Sequence, residues 1–315
     1  VTGSRLLAIF AVFTCAAQDL APIRVDVHLV NVAFLARDAS GKLITNIAKD
    51  DVEVLEDNVR QKISFFAQSS DLPLALGLVV DISGSQAKFV KQHEHDLQTF
   101  LKSVLTPRDR AFLLCFGNHL RLAADLTADA HEIGEALNKI DHKNKHMPDF
   151  PEIGPDERRI LGTAFYDAIY HAIKIKLAGA EHARKALIVF SDGEDNSSAH
   201  HMLDAIEAAQ SENIPIFAIR YTEVEHGRLN ARNKYGMSVM ERLGRETGGA
   251  DFDAEKTDLK KTFREIGEQL RSLYELGYYT TNPIDDQTFH KLVIRSPRTG
   301  LTLRTKTGYY ARDSQ

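Results

Sequence analysis

The sequence predicts an α/β protein. Its core is a doubly wound, mostly parallel sheet, inserted in a small β-sandwich made of N- and C-terminal flanking strands. Three observations predict it. Leu74-Ala75-Leu76-Gly77-Leu78-Val79-Val80 and Ala186-Leu187-Ile188-Val189-Phe190 are continuously apolar, as strands buried on both faces are. Between and after these runs, amphipathic helical patterns alternate with strands, which argues for a sheet covered on both sides. Before and after that region the patterns are short, alternating and purely β. Three or four such strands bury no core alone, so the two flanks are expected to pair with each other.

In chain order, 23–36 reads as a strand whose apolar set changes parity, with Ile23, Val25, Val27 and Leu29 followed by Val30, Val32 and Phe34. That shift predicts a β-bulge near Leu29-Val30. Asp38-Ala39-Ser40-Gly41-Lys42 is a turn, and 51–56 and 61–66 are short strands around Asp57-Asn58. After the 74–80 strand come a helix over 89–105, a strand over 111–116 with 119–126 as its antiparallel neighbour, and a helix over 130–140. A polar loop over 141–162 carries Pro148, Pro151 and Pro155. A helix over 163–177 leads to the 186–190 strand, a helix over 201–212 and a strand over 214–221. A loop over 222–236 precedes a helix over 239–246, a short strand over 248–252 and a closing helix over 258–274. Strands return at 274–280, 291–295 and 301–306. The implied organisation is a leader over 1–17, an N-terminal β segment over 18–70, an α/β domain over 71–275, and a C-terminal β segment over 276–315 that pairs with the first.

The 315 residues are 43% hydrophobic with a formal charge of −5, enough for one large domain or two unequal ones. Mild acidity, with a pI near 6.2, gives no reason to expect nucleic acid as a partner. Arg5, the apolar 6–12 run and Cys15-Ala16-Ala17 fit a signal peptide cleaved before Gln18. A buried N-terminal element is the alternative, and Cys15 raises the question of a lipid anchor. The run falls short of the roughly 20 residues of a bilayer span, and no later run could span a bilayer. The expected location is therefore exported: periplasmic, cell-surface or secreted. Cys115 lies in an apolar strand and reads as an inert buried thiol.

The chemistry concentrates where apolar strands end. Asp81-Ile82-Ser83-Gly84-Ser85 follows the first, Ser191-Asp192-Gly193 follows the second, and Thr163 opens a helix after the long loop. In an open α/β sheet, ligands bind outside the carboxyl ends of the strands. The side chains of Asp81, Ser83, Ser85, Thr163 and Asp192 are all hard oxygen donors, which suit Mg²⁺, Mn²⁺ or Ca²⁺ rather than zinc or copper. Ser83 or Ser85 capping the next helix is the simpler alternative for the first motif. His93-Glu94-His95 lacks the spacing of a zinc helix and reads as a solvated face. His142, His146, His200 and His201 lie in polar stretches and are expected to face water. Asp195 reads as loop or as a supporting residue of the site.

These residues give the chain a resemblance to the von Willebrand factor type A (VWFA) domain. D-x-S-x-S, then T, then D match its metal-ion-dependent adhesion site at all five positions, and the strand–helix order matches over roughly 72–275. The flanks, with Asp51-Val52-Glu53-Val54-Leu55-Glu56-Asp57 ahead and Leu276-Gly277-Tyr278-Tyr279 and Thr307-Gly308-Tyr309-Tyr310 behind, are similar to the exported bacterial VWFA-related acidobacterial domain family. The resemblance implies a non-enzymatic module in which Asp81, Ser83, Ser85, Thr163 and Asp192 hold a Mg²⁺-type ion. A partner protein completes the ion's coordination with an Asp or Glu carboxylate. Two other readings stay open: a metal-dependent phosphoryl-transfer enzyme, against which Ser83 stands where a second Asp is needed, and a structural exported protein with a vestigial site. The 141–162 and 222–236 loops are candidates for specificity.

Overall fold

The computed structural model describes residues 28–68, 71–139, 150, 162–222, 228–282 and 287–311. The leader, with Cys15, and most of the 141–162 loop, with His142 and His146, lie outside the described residues.

Among the described residues four strands come first: β1 (Leu29–Arg37), β2 (Glu53–Glu56), β3 (Val59–Gln61) and β4 (Ile63–Gln68). The α/β region runs through β5 (Leu74–Asp81), α1 (Val90–Val104), β6 (Arg110–Phe116), β7 (Leu120–Thr127), α2 (Ala130–Asn138), α3 (Phe165–His171) and β8 (Arg184–Ser191). It continues with α4 (Met202–Ser211), β9 (Ile216–Arg220), α5 (Ala231–Thr247), β10 (Ala250–Asp253) and α6 (Leu259–Arg271). The last four strands among the described residues are β11 (Tyr274–Tyr279), β12 (Phe289–Arg295), β13 (Thr302–Thr305) and β14 (Gly308–Tyr310).

The central sheet has the order β10-β9-β8-β5-β6-β7, parallel except for β7. Every residue of β5 is buried, and its alternation feeds two cores. Ala75 and Val79 face the side covered by α3, α4 and α5; Leu74, Leu76, Leu78 and Val80 face α1, α2 and α6. The sheet is thus doubly wound, with β5 and β8 side by side at its centre.

The flanking strands form two antiparallel sheets, β13-β1-β11-β4 and β14-β12-β2-β3. Each mixes strands from both ends of the chain: β1 and β4 pair with β11, and β2 pairs with β12. A third core of Val32, Phe34, Val54, Ile63, Tyr274, Tyr278 and Leu292 belongs to these strands. Phe34 stacks on Tyr274 with ring centres 5.2 Å apart. Burying one such aromatic contributes about 1.5–3 kcal/mol, which neither flank could gather alone.

Several expectations are corrected. The register of β1 against β11 is continuous, so no bulge lies at Leu29-Val30; the irregularity falls between β4 and β11 at Gly277/Tyr278. Val30, Val32 and Phe34 form the core-facing set and Leu29 points outward; Ile23, Val25 and Val27, the rest of the predicted parity change, lie outside the described residues. The predicted 163–177 helix switches to π geometry over Ala172–Leu177, where Ala178 N–H bonds to Ile173 O at 2.8 Å. The 222–236 segment is not loop throughout, because α5 begins at Ala231. The Asn230 side chain caps it by accepting from Asn233 N, an anchor the polar sequence hid.

Candidate metal centre

The site is assembled at the carboxyl edge of β5 and β8. Their pairing sets Val80 beside Phe190, so both strands leave the sheet together and carry Asp81 and Asp192 to the same edge. Asp81 is fully buried, whereas Ser85 is exposed, so the cluster has a closed floor and an open rim.

Hydrogen bonds join four of the five predicted residues. Ser83 N–H donates to Asp81 Oδ1 at 2.9 Å. The Ser83 and Ser85 hydroxyls are 3.2 Å apart, and Ser85 Oγ donates to Asp192 Oδ2 at 2.9 Å. Ser83 precedes a short 3-10 turn, Gly84–Gln86, but its hydroxyl makes no capping bond, and α1 also starts without a side-chain cap. The two serines therefore spend their hydroxyls on the cluster, not on the helix.

Thr163 reaches the same edge through the backbone. Ala164 N–H donates to Gly117 O at 2.8 Å. Gly117 lies against Ser83, where an added Cβ would sit 3.6 Å from Ser83 Cα. Thr163 N–H donates to Asn196 Oδ1 at 2.7 Å, and Thr163 O accepts from Asn196 N and Ser197 N. Thr163 is only 5% exposed, so it belongs to the wall of the site and not to its surface.

Three further residues escaped sequence reasoning. Ser191 Oγ donates to Asp81 Oδ2 at 2.6 Å and fixes that carboxylate from the side opposite Ser83. Gln86 Nε2 donates to Asp192 Oδ2 at 2.8 Å. Glu194, 6% exposed, adds a third carboxylate next to Asp192 and pairs with Arg232 of α5 at 2.6 Å. Serine beside Asp192 was the only visible hint; Gln86 and Glu194 carry no signal without the fold. Asp195, left open above, caps α3 by accepting from Phe165 N at 2.9 Å.

The histidines depart from expectation. His93 is completely buried, edge-on to Tyr221 with ring centres 4.3 Å apart, because it falls on the core stripe of α1 with Leu97, Phe100 and Leu101. Burial pushes its pKa down to about 3, against the favourable Asp81 backbone carbonyl. His201 is exposed as expected, but His200 is half-buried against Asp167. Cys115 is buried and burial pushes its thiol far up, in keeping with an inert side chain.

The electrostatics of the cluster ask for a cation. Burial, and then the Asp192 carboxylate, push the Asp81 pKa up to about 7, although the Ser191 and Ser83 bonds favour the ionised form. Burial and Asp192 also raise Glu194, against the pull of Arg232. Two like charges sharing a desolvated site are costly unless a positive group joins them. Hard oxygen donors around such a deficit fit a hard divalent ion.

The fold and this edge define an α/β domain that gathers oxygen donors where two central parallel strands end. The von Willebrand factor type A domain profile matches residues 76–265, more than half of the chain, and the chain belongs to that family. No curated protein matches the sequence. Among solved structures, the chain is similar to an aerotolerance-related membrane protein from Bacteroides fragilis NCTC 9343, at 15% identity and a TM-score of 0.47, covering 62% of this chain and 98% of that one. It is also similar to a von Willebrand factor type A protein from Catenulispora acidiphila, at 13% identity and a TM-score of 0.45, covering 92% and 75%. A third is proximal thread matrix protein 1 from the mussel byssus with a zinc-occupied MIDAS motif, at 15% identity and a TM-score of 0.46, covering 69% and 50%.

Proposed function

We propose that this chain is an exported, non-enzymatic protein-binding module that takes an Asp or Glu carboxylate of a partner protein through a Mg²⁺-type ion. The observation that carries the reading is the donor set: Asp81, Ser83, Ser85 and Asp192 joined by hydrogen bonds at one sheet edge, with Thr163 in the adjoining wall. Its hydroxyl makes no hydrogen bond among the described residues. When bound, Mg²⁺, Mn²⁺ or Ca²⁺ would supply positive charge and an open position for an incoming carboxylate.

The chain's own residues set the rest. Ser191 and the Ser83 N–H orient Asp81 at the floor. Three hydroxyls supply neutral donors, so Asp81 and Asp192 are the only anions among the five, and a divalent ion keeps its pull on a further anion. Arg232 holds the Glu194 carboxylate by an ion pair. The 141–162 segment directly precedes Thr163 in sequence, and with the 222–236 segment it is the proposed carrier of specificity. The leader over 1–17 belongs to the same proposal, with delivery to the periplasm, the cell surface or the medium.

The test is retention. The immobilised chain, offered an extract of its native envelope and medium, should hold the same partner in Mg²⁺ and release it with chelator, and Asp81→Ala should hold none. Equal retention by wild type with chelator, or by the variant, would sink the reading.

A further inference from the structure

Away from that edge, α3 and the loop after β8 bring together Asp167, His171 and His200. One ligand atom from each lies within 4.8 Å of the others. The geometry points to a second metal site here, of zinc type, distinct from the oxygen cluster in ligand chemistry and independent of the function proposed above.

Asp167 and His171 are one helical turn apart in α3, so their side chains share a face. Asp167 is 1% exposed and firmly held: its carboxylate accepts from Ala199 N at 3.1 Å and from His200 N at 2.9 Å. His200 Nδ1 lies 2.7 Å from Asp167 Oδ1. The His200 ring stacks flat on Tyr170, with centres 3.8 Å apart, and the His171 ring stands edge-on to it at 5.3 Å. Ring packing of this kind fixes imidazole orientation before any ion arrives, which lowers the cost of binding.

Two imidazoles and one carboxylate form a borderline set that late first-row ions take, whereas Mg²⁺ and Ca²⁺ prefer oxygen alone. Catalytic and exchangeable zinc sites use three protein ligands and leave the fourth position to water. Zinc bonds of about 2.0–2.2 Å need tetrahedral donors about 3.4 Å apart; the 2.7 Å pair of His200 Nδ1 and Asp167 Oδ1 would open, and any pair as wide as 4.8 Å would close, each by on the order of 1 Å. The His200 side chain is 28% exposed and borders an open surface cavity of ≈ 590 Å³, which gives an ion its entry. Where Nδ1 is the ligand, metal binding would release the proton shared between His200 Nδ1 and Asp167 Oδ1 to solvent, and the two atoms would move apart to admit the ion.

The site would brace the functional edge. The loop that ends at His200 begins at Asp192 and Gly193, and its Asp195 and Asn196 hold the start of α3 and Thr163. An ion on Asp167, His171 and His200 would fasten the far end of this loop to the same helix.

The probe is Zn²⁺ alone, titrated calorimetrically into the full chain carrying Asp81→Ala, which removes the proposed oxygen site. One equivalent should bind, and His171→Ala or His200→Ala added to that background should weaken it at least tenfold. Unchanged affinity and stoichiometry in both would overturn the site. Because variants can misfold, wild type is tested as well. Zn²⁺ should protect His171 and His200 from diethyl pyrocarbonate, mapped by mass spectrometry, while exposed His95 and His201 react equally with or without it. Equal labelling of all four overturns the proposal. Loss of Mg²⁺ effects in Asp81→Ala, with Zn²⁺ still bound, keeps this inference separate from the functional reading.

Discussion

The Ser85 hydroxyl donates to the Asp192 carboxylate at 2.9 Å across a sequence separation of 107 residues. The contact exists because β5 and β8 are parallel neighbours in register and both end at the same edge. Everything proposed for the metal centre depends on that juxtaposition.

A divalent ion that binds only the folded chain stabilises it by about 2.7 kcal/mol at a hundredfold excess over Kd. For a chain of this size each kcal/mol moves Tm by roughly 2–4 °C. Mg²⁺ or Mn²⁺ should therefore raise Tm by about 5–10 °C in wild type and leave Asp81→Ala and Asp192→Ala unmoved. An equal rise in those variants, measured by calorimetry, would place the ion elsewhere.

Thr163→Ala should weaken partner retention at least tenfold while costing about 1 kcal/mol of stability, since the backbone bonds of Thr163 to Asn196 and Ser197 survive the change. Chelator should then add little to the variant. Partner affinity equal to wild type, read by surface binding with and without chelator, removes Thr163 from the mechanism.

Asp109 ties the start of β5 to α6. Its carboxylate accepts from Leu74 N at 2.7 Å, Thr106 Oγ1 at 2.7 Å and Arg271 Nη2 at 2.6 Å. Burial alone would raise its pKa; Arg271, the Leu74 N–H and Thr106 outweigh burial and bring it down to about 2. The unfolded value is about 3.9, so this stabilisation is complete above about pH 4 and is lost as pH falls through about 2. It amounts to about 2 kcal/mol. Asp109→Asn should be less stable than wild type by that order at pH 6, and the gap should shrink below pH 4 in urea titrations. A gap of constant size would mean that the ionised carboxylate is not what stabilises.

Gly193 and Gly236 let α5 lie directly on the Asp192 turn. Gly193 has φ +81°, and a Cβ on Gly236 would sit 2.3 Å from Asp192 O. Gly236→Ala should push α5 away, cost about 1–3 kcal/mol as overpacking does, and diminish the Mg²⁺ shift in Tm. Gly179→Ala, where an added Cβ meets nothing within 4 Å, is the control. An unchanged Mg²⁺ shift in Gly236→Ala would show that Asp192 tolerates the displacement.

The sequence by itself determined the strand–helix alternation, the doubly wound sheet and the pairing of its flanks, because continuous apolar runs and helical periodicity report burial that is local in sequence. It also offered Asp81, Ser83, Ser85 and Asp192 as candidates, because strand ends mark where an open sheet presents side chains, and Thr163 from the helix start after the long loop. Tertiary structure alone decided what those residues touch. Ser191 on Asp81, Gln86 on Asp192 and Arg232 on Glu194 join distant segments or depend on rotamers that no periodicity encodes. His93 shares the apolar stripe of Leu97, Phe100 and Leu101, a spacing the sequence shows, but only the packing of Tyr221 and Phe190 against it decided that this face is covered. Asp167, His171 and His200 follow the same rule: the first two share a helical turn, but only the packing of the β8 loop on α3 adds the third.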